Sequence, residues 1–301
     1  MSIHVYGTGW VPDPQDSRDF TRDHEEVRGL LRKTRVRDHP VELPAECDLR
    51  QWCPPILDQG HLNSCSAHAT LGAVEYAERR ARGSSVLRSR LFLYKSTRNL
   101  MKIKGDHGAY LRAAMKALVL IGAPPEDYWP YDPSLVDAEP PAFLYALAAD
   151  YKAMRYYRHD PPGTPKQTLL DGVKQHLHAG IPAFFGALLF ESVMTTMRTG
   201  AIALPDPSEK FLGAHAMLAV GYDDHFEMQN RASPGDPARN TTRGAFLIRN
   251  SWGTGWGDKG YGWIPYDYLL RDLATDWWSI LHEAWVDQDV FDSPQGSSGA
   301  Q

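Results

Sequence analysis

The sequence contains few cysteines, and their number alone limits the kinds of protein it can encode. Three cysteines occur in 301 residues, so they cannot all pair within one chain, which argues against a scaffold built on disulfides. Cys47 and Cys53 flank a short segment and could form a disulfide under oxidising conditions, whereas a reducing compartment favours buried free thiols. At least one thiol is left to be explained.

Long hydrophobic runs are also missing. No apolar stretch approaches the roughly 20 residues needed to span a bilayer, and residues 1–20 lack the basic and apolar regions of a secretory signal. These absences favour a cytoplasmic location by default, with export by another route left open. Lys and Arg number 32 against 37 Asp and Glu, and without a long basic run we expect neither nucleic acid nor an anionic membrane as partner.

The sequence lacks the short motifs that hold metals or nucleotides. It has no HExxH or CxxC pattern and no phosphate-binding loop with its lysine. His176 and His178 are two apart on a predicted helix and so point to different faces, which argues against a metal pair. We therefore expect no metal ion and no organic cofactor.

What the sequence does contain is a helical first half and a strand-rich second half. Three helices are predicted, each followed by a glycine: one in SCSAHATLGAVEYAERRARG, which has apolar residues at helical spacing and stops at Gly83, one around Ala109–Leu120 before Gly122, and one near Lys166–His178 before Gly180. Short apolar or aromatic runs bounded by Gly, Pro and Asp are typical of strands, and four follow: AFFGALLF, HAMLAVGYDD, GAFLIRNSW and GYGWIPY. This order predicts an α+β fold, in which the polar segment 229–242 is a loop between two strands.

The two ends of the chain differ from the part between them. Residues 1–42 are polar and interrupted by proline, which predicts an extended arm with a short helix near Glu25–Lys33. Residues 288–301 are of low complexity with little apolar content, which predicts a disordered tail. We therefore place the main domain at residues 43–287.

Cys65 opens the first predicted helix of that domain. It follows Asn63-Ser64, two favoured N-cap residues, and the N-terminus of a helix carries a partial positive charge that favours thiolate over thiol. A free cysteine in a helix is more often a small buried hydrophobic residue. Its position alone therefore does not make Cys65 a nucleophile.

The same helix has an apolar face and a charged face. The apolar positions are Ala67, Leu71, Val74 and Ala77. Glu75–Arg79 and Glu78–Arg82 have the i,i+4 spacing of ion pairs, which predicts that these four side chains lie on the outer side of the helix.

Three further features stand in a fixed order around Cys65. Gln59 lies six positions before it in PPILDQGHLNSCSAHA, His215 opens HAMLAVGYDD, and Asn250 and Trp252 belong to RNSWGTGWGDKGYGWI. Taken singly, a loop Gln is usually solvated and a His beside a strand is usually structural. Taken together and in this order, the segments resemble the papain family of cysteine proteases over roughly residues 43–286. SRLFLYKSTRN and the N-terminal GWVPDPQDSRD resemble a bacterial branch of that family.

The resemblance implies a role for each of these residues. Cys65 would be the nucleophile, His215 its base and Asn250 the residue that orients the base, with Trp252 shielding the bond between them. Gln59 would donate to the oxyanion together with the backbone N–H of Cys65. A thiol paired with an imidazole would have a pKa below its usual value of about 8.5.

The resemblance also implies an architecture. We expect a two-lobed papain-like fold, with a helical N-terminal lobe, an antiparallel β-barrel-like C-terminal lobe and the active site in the cleft between them. Two departures stand out. Leu62 occupies the place where the family usually has a cysteine, so that family disulfide is absent, and Asn63-Ser64-Cys65-Ser66 replaces the common Gly-Ser-Cys-Trp.

Candidate substrate-binding residues follow from the same resemblance. The family has a Gly-rich wall that pairs with an extended peptide, and Asp106-His107-Gly108-Ala109 matches it with one Gly where two are common. A surface turn before a helix explains this stretch equally well. Gly186, Ala214 and Ala216 match positions near the pocket for the second residue of the substrate, and their small size predicts a roomy apolar pocket.

The sequence therefore predicts a peptidase that acts on polypeptides through a thioester acyl-enzyme. Residues 1–42 could be a pro-segment that lies across the cleft and regulates the enzyme, or a peripheral brace. The same four residues could instead transfer an acyl group to an amine, or cleave another amide or isopeptide bond. A non-catalytic binding protein of the same fold is a third hypothesis, and the presence of all four residues argues against it.

Overall fold

A computed structural model describes residues 7–34, 36–37, 42–149, 155–195, 197–231 and 240–281. In this part of the chain the α-helices are α1 (Glu25–Leu31), α2 (Cys65–Arg82), α3 (Arg90–Met101), α4 (Leu111–Leu120), α5 (Ala142–Ala148), α6 (Lys166–His178), α7 (Ser192–Thr195) and α8 (Tyr266–Leu270). The strands are β1 (Glu46–Asp48), β2 (Arg155–Arg158), β3 (Ala183–Phe190), β4 (Phe211–Gln229), β5 (Thr241–Arg249), β6 (Tyr261–Pro265) and β7 (Ala274–Leu281). The predicted order of helices before most strands is confirmed, and the predicted tail at 288–301 lies outside the described residues.

The central helix α2 forms where its sequence predicts. Gly83 follows it in the left-handed conformation, with φ of 76°, and its N–H donates to Arg79 O at 2.8 Å. Glycine adopts this backbone conformation without the steric cost of a Cβ atom, so it ends the helix. The predicted apolar face of α2 is buried.

The prediction of outward-facing ion pairs on α2 is wrong. Glu75 is fully buried, and its carboxylate accepts from Arg90 at 2.5 and 2.7 Å and from the backbone N–H of Arg88 at 2.9 Å. Glu78 pairs with the guanidinium of Arg88 at 2.5 Å. Because α3 and α4 cover α2, both glutamates find partners on another segment.

The sheet brings distant parts of the chain together. Its hydrogen-bonded order is β2-β7-β3-β4-β5-β6, with β1 paired to β4, and every pairing is antiparallel. Within the described residues β2 and β6 do not pair with each other, so the sheet stays open instead of closing into a barrel. The long strand β4 lies at its centre and packs against α2, which fixes the relation between the helical and the sheet-rich parts.

The register of β3 and β4 defines one end of the site. Gly186 stands opposite Ala216, and Ala187 stands opposite His215. Since side chains alternate between the faces of a sheet, His215 projects to one face and its neighbours Ala214 and Ala216 to the other.

The two other cysteines do not form a disulfide. Cys47 and Cys53 are buried free thiols, and their sulfurs donate to the carbonyl oxygens of Leu177 at 3.4 Å and Leu49 at 3.8 Å. No helix of the described part is long and apolar enough to cross a membrane.

Candidate active site

Cys65 is the first residue of α2, and the residues before it are held in place by a tyrosine. Ser64 is the N-cap, but its hydroxyl makes no capping hydrogen bond. It instead donates to Tyr131 Oη at 2.6 Å, and that phenol donates to the backbone oxygen of Gln59 at 2.9 Å. Tyr131 therefore ties the start of the helix to the loop that carries Gln59, and the sequence analysis did not single it out.

His215 and Asn250 are joined by a hydrogen bond of 2.8 Å between Nε2 and Oδ1. The backbone N–H of Ser251 donates to the same Oδ1 at 2.8 Å, and since an N–H can only donate, this atom is the amide oxygen of Asn250. His215 must therefore carry its proton on Nε2. The other ring nitrogen, Nδ1, is buried and has no hydrogen-bond partner among the described residues.

Trp252 covers this pair from one side. Its ring stacks on that of His215, with centroids 4.5 Å apart and planes 27° apart. The indole is buried, and it covers one face of the ring that is hydrogen-bonded to Asn250.

Cys65 is contacted by the strand segment that carries His215, which lies 150 positions further along the chain. The backbone N–H of Ala216, the next residue after His215, donates to Cys65 Sγ at 3.3 Å. Both side chains are fully buried. Burial raises the pKa of the Cys65 thiol to about 12, against hydrogen bonds from backbone N–H groups, and it lowers the pKa of the His215 imidazole to about 4, against its hydrogen bond with Asn250.

These shifts correct the expectation of a lowered thiol pKa. Removing water from a group disfavours its charged form, and burial is the largest effect on both groups. In the structure described, burial therefore favours the neutral thiol of Cys65 and the neutral imidazole of His215.

Gln59 is oriented by a residue from the far side of the site. The hydroxyl of Ser251 donates to Gln59 Oε1 at 2.5 Å. The amide Nε2 then faces carbonyl oxygens, donating to Gly7 at 3.0 Å and to Leu62 at 2.8 Å. Ser251 thus positions Gln59 through its side chain and Asn250 through its backbone, a role that the sequence analysis did not assign.

Residues 7–11 contact the same set of groups. Gly7 O accepts from Gln59 and also from Trp252 Nε1 at 3.1 Å. The N–H groups of Gly9 and Trp10 both point to Ala214 O, at 2.9 and 3.1 Å. These contacts bury the backbone of residues 7–11 against the groups that the sequence assigned to catalysis.

The candidate wall at Asp106 and Gly108 also meets this segment. Ala109 N–H donates to Gly9 O at 2.8 Å, and Ala109 O accepts from Val11 N–H at 3.2 Å. Gly108 has φ of 78°, and a Cβ there would lie 2.0 Å from Gly9 O, so glycine is required for this approach. The carboxylate of Asp106 instead accepts from Tyr94 Oη at 2.6 Å and from Asn63 N–H at 3.0 Å, which anchors the wall to the loop before α2.

The three small candidate residues lie together on β3 and β4. Ala214 presents its carbonyl oxygen to residues 9 and 10, and Ala216 presents its N–H to Cys65. Gly186 contacts the indole of Trp10. The carboxylate of Asp276 lies at the other edge of this indole, where its Oδ2 accepts from Trp10 Nε1 at 3.1 Å.

A buried group of charges, which we call the Asp276 cluster, anchors the segment that follows Trp10. Its members are Asp13, Asp19, Arg112, Arg158, Asp160 and Asp276. Asp276 Oδ2 accepts from Asp13 N–H at 2.6 Å, and Asp276 Oδ1 accepts from Arg158 at 2.5 Å. Arg112 bonds Asp19 at 2.6 Å and the carbonyl of Pro14 at 2.7 Å. No motif in the sequence groups these residues, because four separate segments supply them.

Comparison with known proteins shows which family this sequence matches. A family model described as papain family cysteine protease matches residues 43–269. An uncharacterized peptidase C1-like protein of Acanthamoeba polyphaga mimivirus is 31 % identical over 285 residues, which are 90 % of this chain and 86 % of the relative. Cathepsin K of Gallus gallus is 29 % identical over 232 residues, which are 75 % of this chain and 60 % of the relative.

Solved structures agree. Xylellain, a cysteine protease from Xylella fastidiosa, has a TM-score of 0.70 at 32 % identity, with 92 % of this chain and 96 % of that chain covered. The bromelain protease of Ananas comosus in complex with an inhibitor has a TM-score of 0.58 at 18 % identity, covering 80 % of this chain and 100 % of that chain; this likeness concerns the fold alone. Together they confirm the papain-like α+β fold predicted from the sequence.

Proposed function

The chain belongs to the papain family of cysteine proteases, and from that premise we propose that it hydrolyses peptide bonds with Cys65 as nucleophile, His215 as base and Asn250 as the residue that orients the base. The observation that carries the assignment is the contact between residues from three distant segments. Cys65 Sγ accepts from the residue after His215, and His215 Nε2 donates to Asn250.

The positions of the protons on His215 and Asn250 fit this chemistry. With Nε2–H held by Asn250, the lone pair of His215 Nδ1 is free to take the thiol proton of Cys65. The thiolate attacks the substrate carbonyl carbon and forms a tetrahedral oxyanion. His215 then gives its proton to the leaving amine, and the collapse of the intermediate leaves a thioester on Cys65. Water, activated by the same imidazole, releases the acid and restores the thiol.

The oxyanion needs donors that are already in place. Gln59 Nε2 points into the site because Ser251 holds its amide oxygen, and the backbone N–H of Cys65 stands at the start of α2, where no earlier turn of helix uses it. Preoriented donors of this kind stabilise the transition state without reorganising during the reaction. A carbonyl oxygen, that of Gly7, already accepts from Gln59.

We further propose that residues 7–13 hold this enzyme closed. They fill the donors and acceptors that a peptide would use, namely Gln59 Nε2, Ala214 O and both backbone groups of Ala109. They also exclude water from Cys65 and His215, so that the neutral pair is favoured over thiolate and imidazolium. Turnover then requires the arm to leave, and a peripheral brace would make none of these contacts.

Two glycines of the arm allow a matched test. A Cβ at Gly9 would lie 2.3 Å from Asn63 O, and Gly9 has φ of 119°, so Gly9→Ala should displace the arm without altering any catalytic residue. A Cβ at Gly29 would meet nothing within 4 Å, so Gly29→Ala is the control. The measurements are the rate at which iodoacetamide labels Cys65 and the turnover of a fluorogenic peptide library.

We expect both rates to rise at least about tenfold in Gly9→Ala, since this corresponds to only about 1.4 kcal/mol of lost arm binding. Gly29→Ala should match the parent chain, and Cys65→Ala should abolish turnover in either background. Unchanged labelling in a folded Gly9→Ala protein would refute closure by the arm. Fast labelling without turnover of any peptide would refute the peptidase assignment, and products formed only when amines are added would favour acyl transfer.

A further inference from the structure

Arg249 is a buried arginine that stands directly before Asn250, at the end of β5. Its side chain is almost without exposure to solvent, at 5 % for the whole residue, and burial lowers the pKa of its guanidinium. In the part of the chain that the structure describes, no ion pair joins this guanidinium to a carboxylate. A buried charge without a counter-charge costs free energy of folding, so a neutral side chain would be less costly at this position.

The guanidinium of Arg249 donates to two successive carbonyl groups of a distant segment. Its Nη2 lies 2.5 Å from Pro55 O and 3.3 Å from Pro54 O. Proline has no backbone N–H, so these two residues offer only acceptors and cannot be held by a ladder of mutual hydrogen bonds. Arg249 supplies the donor from 194 positions further along the chain.

The segment that begins with these two prolines ends at Gln59, and neighbours of Asn250 hold it along its length. Gln59 N–H donates to Ser251 O at 2.8 Å, and Gly253 N–H donates to Leu57 O at 3.2 Å. The loop that carries the proposed oxyanion donor is therefore tied to the segment around Asn250 at three places, and the two prolines are the place farthest from Gln59.

Another nitrogen of the same guanidinium faces helix α2, which Cys65 opens. A Cβ added to Gly72 would lie 3.2 Å from Arg249 Nη1. Glycine in the middle of a helix is unfavourable relative to alanine, and here it leaves room for the guanidinium against the helix. Arg249 thus contacts the helix of the nucleophile and the loop of Gln59, and it is joined covalently to Asn250.

Building on the proposed peptidase function, we propose that Arg249 is a positioning residue that holds the segment from Pro54 to Gln59, so that the Gln59 amide meets the oxyanion formed at Cys65. Arg249 touches no substrate and acts through Gln59. Donors to an oxyanion are effective because they are fixed before the reaction, and a displacement of about 1 Å can cost about a hundredfold in rate. The oxyanion exists only after attack, so the loss falls on kcat and not on KM.

The test uses the full chain with Gly9→Ala, in which the arm is displaced, as the parent. Arg249→Met keeps the length of the stem and removes every donor, and we expect kcat to fall about tenfold with KM changed by less than about twofold. Arg249→Lys keeps a charged donor and should lose less than Arg249→Met. Arg80→Met is the control, because Arg80 is also buried but bonds Tyr76 Oη at 3.1 Å near the other end of α2, and its kcat should match the parent.

A second background separates positioning from a general structural role. When Gln59→Ala is already present, no side-chain amide is left to position, so adding Arg249→Met should change kcat by less than about twofold. A residue that only stabilises the fold would lower kcat to the same extent in both backgrounds. The full tenfold loss in the Gln59→Ala background overturns the proposal, and so does an equal loss in Arg249→Lys and Arg249→Met.

Hydrogen exchange provides a readout that does not need turnover. In Arg249→Met the backbone N–H groups of Gln59 and Gly253 should exchange at least about tenfold faster than in the parent, whereas those of helix α6 should keep their rates. Unchanged exchange at Gln59 in a folded Arg249→Met chain overturns the positioning role, even where peptides are cleaved. Faster exchange at Gln59 with no cleavage by the parent would sink the peptidase function and leave Arg249 as the residue that holds the loop.

Discussion

The carbonyl oxygen of Gly7 accepts a 3.0 Å hydrogen bond from the side-chain amide of Gln59. One amide therefore has two competing uses. In the closed chain it holds the arm, and in the proposed reaction it holds the oxyanion. Interventions at Gln59 should consequently move access to the site and catalysis in opposite directions.

Gln59→Ala should speed the labelling of Cys65 in the otherwise unaltered chain, because the arm loses one of its anchors. In the Gly9→Ala background, where the arm is already displaced, the same change should lower kcat by about 10²–10³ through the loss of an oxyanion donor. Gln51→Ala, at an exposed glutamine, is the control for both measurements. Parallel changes of labelling and turnover would contradict the double role of Gln59.

Closure by the arm should depend on pH through Asp13. Burial and the neighbouring Asp276 raise the pKa of Asp13 to about 7 in the closed chain, against the effects of Arg112 and Arg158. In an open arm the same carboxyl would titrate near 4, its usual value. The closed state therefore holds a proton that the open state releases. The stabilisation of the closed state is complete below about pH 4 and is lost as pH rises through about 7.

Asp13→Asn should remove this dependence. The measurement is the ratio of Cys65 labelling rates, parent chain over Asp13→Asn, between pH 4 and 8, and we expect the ratio to rise with pH and level off above about 7. His215, whose pKa is lowered by burial to about 4, acts in the opposite sense within this window, but it titrates in both proteins and so cancels in the ratio. Asp23→Asn, on an exposed arm residue, is the control, and a flat ratio would exclude Asp13 as the titrating group.

Breaking the buried ion pair between Glu75 and Arg90 should cost more stability than breaking an exposed ion pair. Glu75→Gln leaves a buried guanidinium without its counter-charge and should lower the free energy of unfolding by about 3–5 kcal/mol. Glu26→Gln breaks the half-exposed pair with Arg155 and should cost less than about 1 kcal/mol. Urea unfolding of the two variants measures both, and equal losses would show that burial does not set the cost.

Much of the fold follows from local features of the sequence. Helix α2 and its end at Gly83, helix α6, and strands β3 and β6 lie where periodicity and glycine predict them, because both signals act within a few residues. The prediction that Glu75 faces outward failed because it depended on contacts beyond the helix itself. The spacing of charges shows which residues could pair along a helix, but the packing of other helices decides which face is solvent-exposed.

The candidate site divides in the same way. Gln59, Cys65, His215, Asn250 and Trp252 could be found because each stands in a short motif. Tyr131, Ser251 and Asp276 act through hydrogen bonds to residues far away in sequence. The large aromatic side chain of Trp10 was the available hint that residues near it are buried.

By itself the sequence determined which side chains can carry out thiol chemistry and in which order they occur, since nucleophile, base and amide donor are properties of residue type. The tertiary structure decided the protonation state of that chemistry and access to it. Burial raises the pKa of the Cys65 thiol and lowers that of the His215 imidazole. The free energy of a charge depends on the water around it, and the amount of water is set by packing and not by the neighbours in the chain.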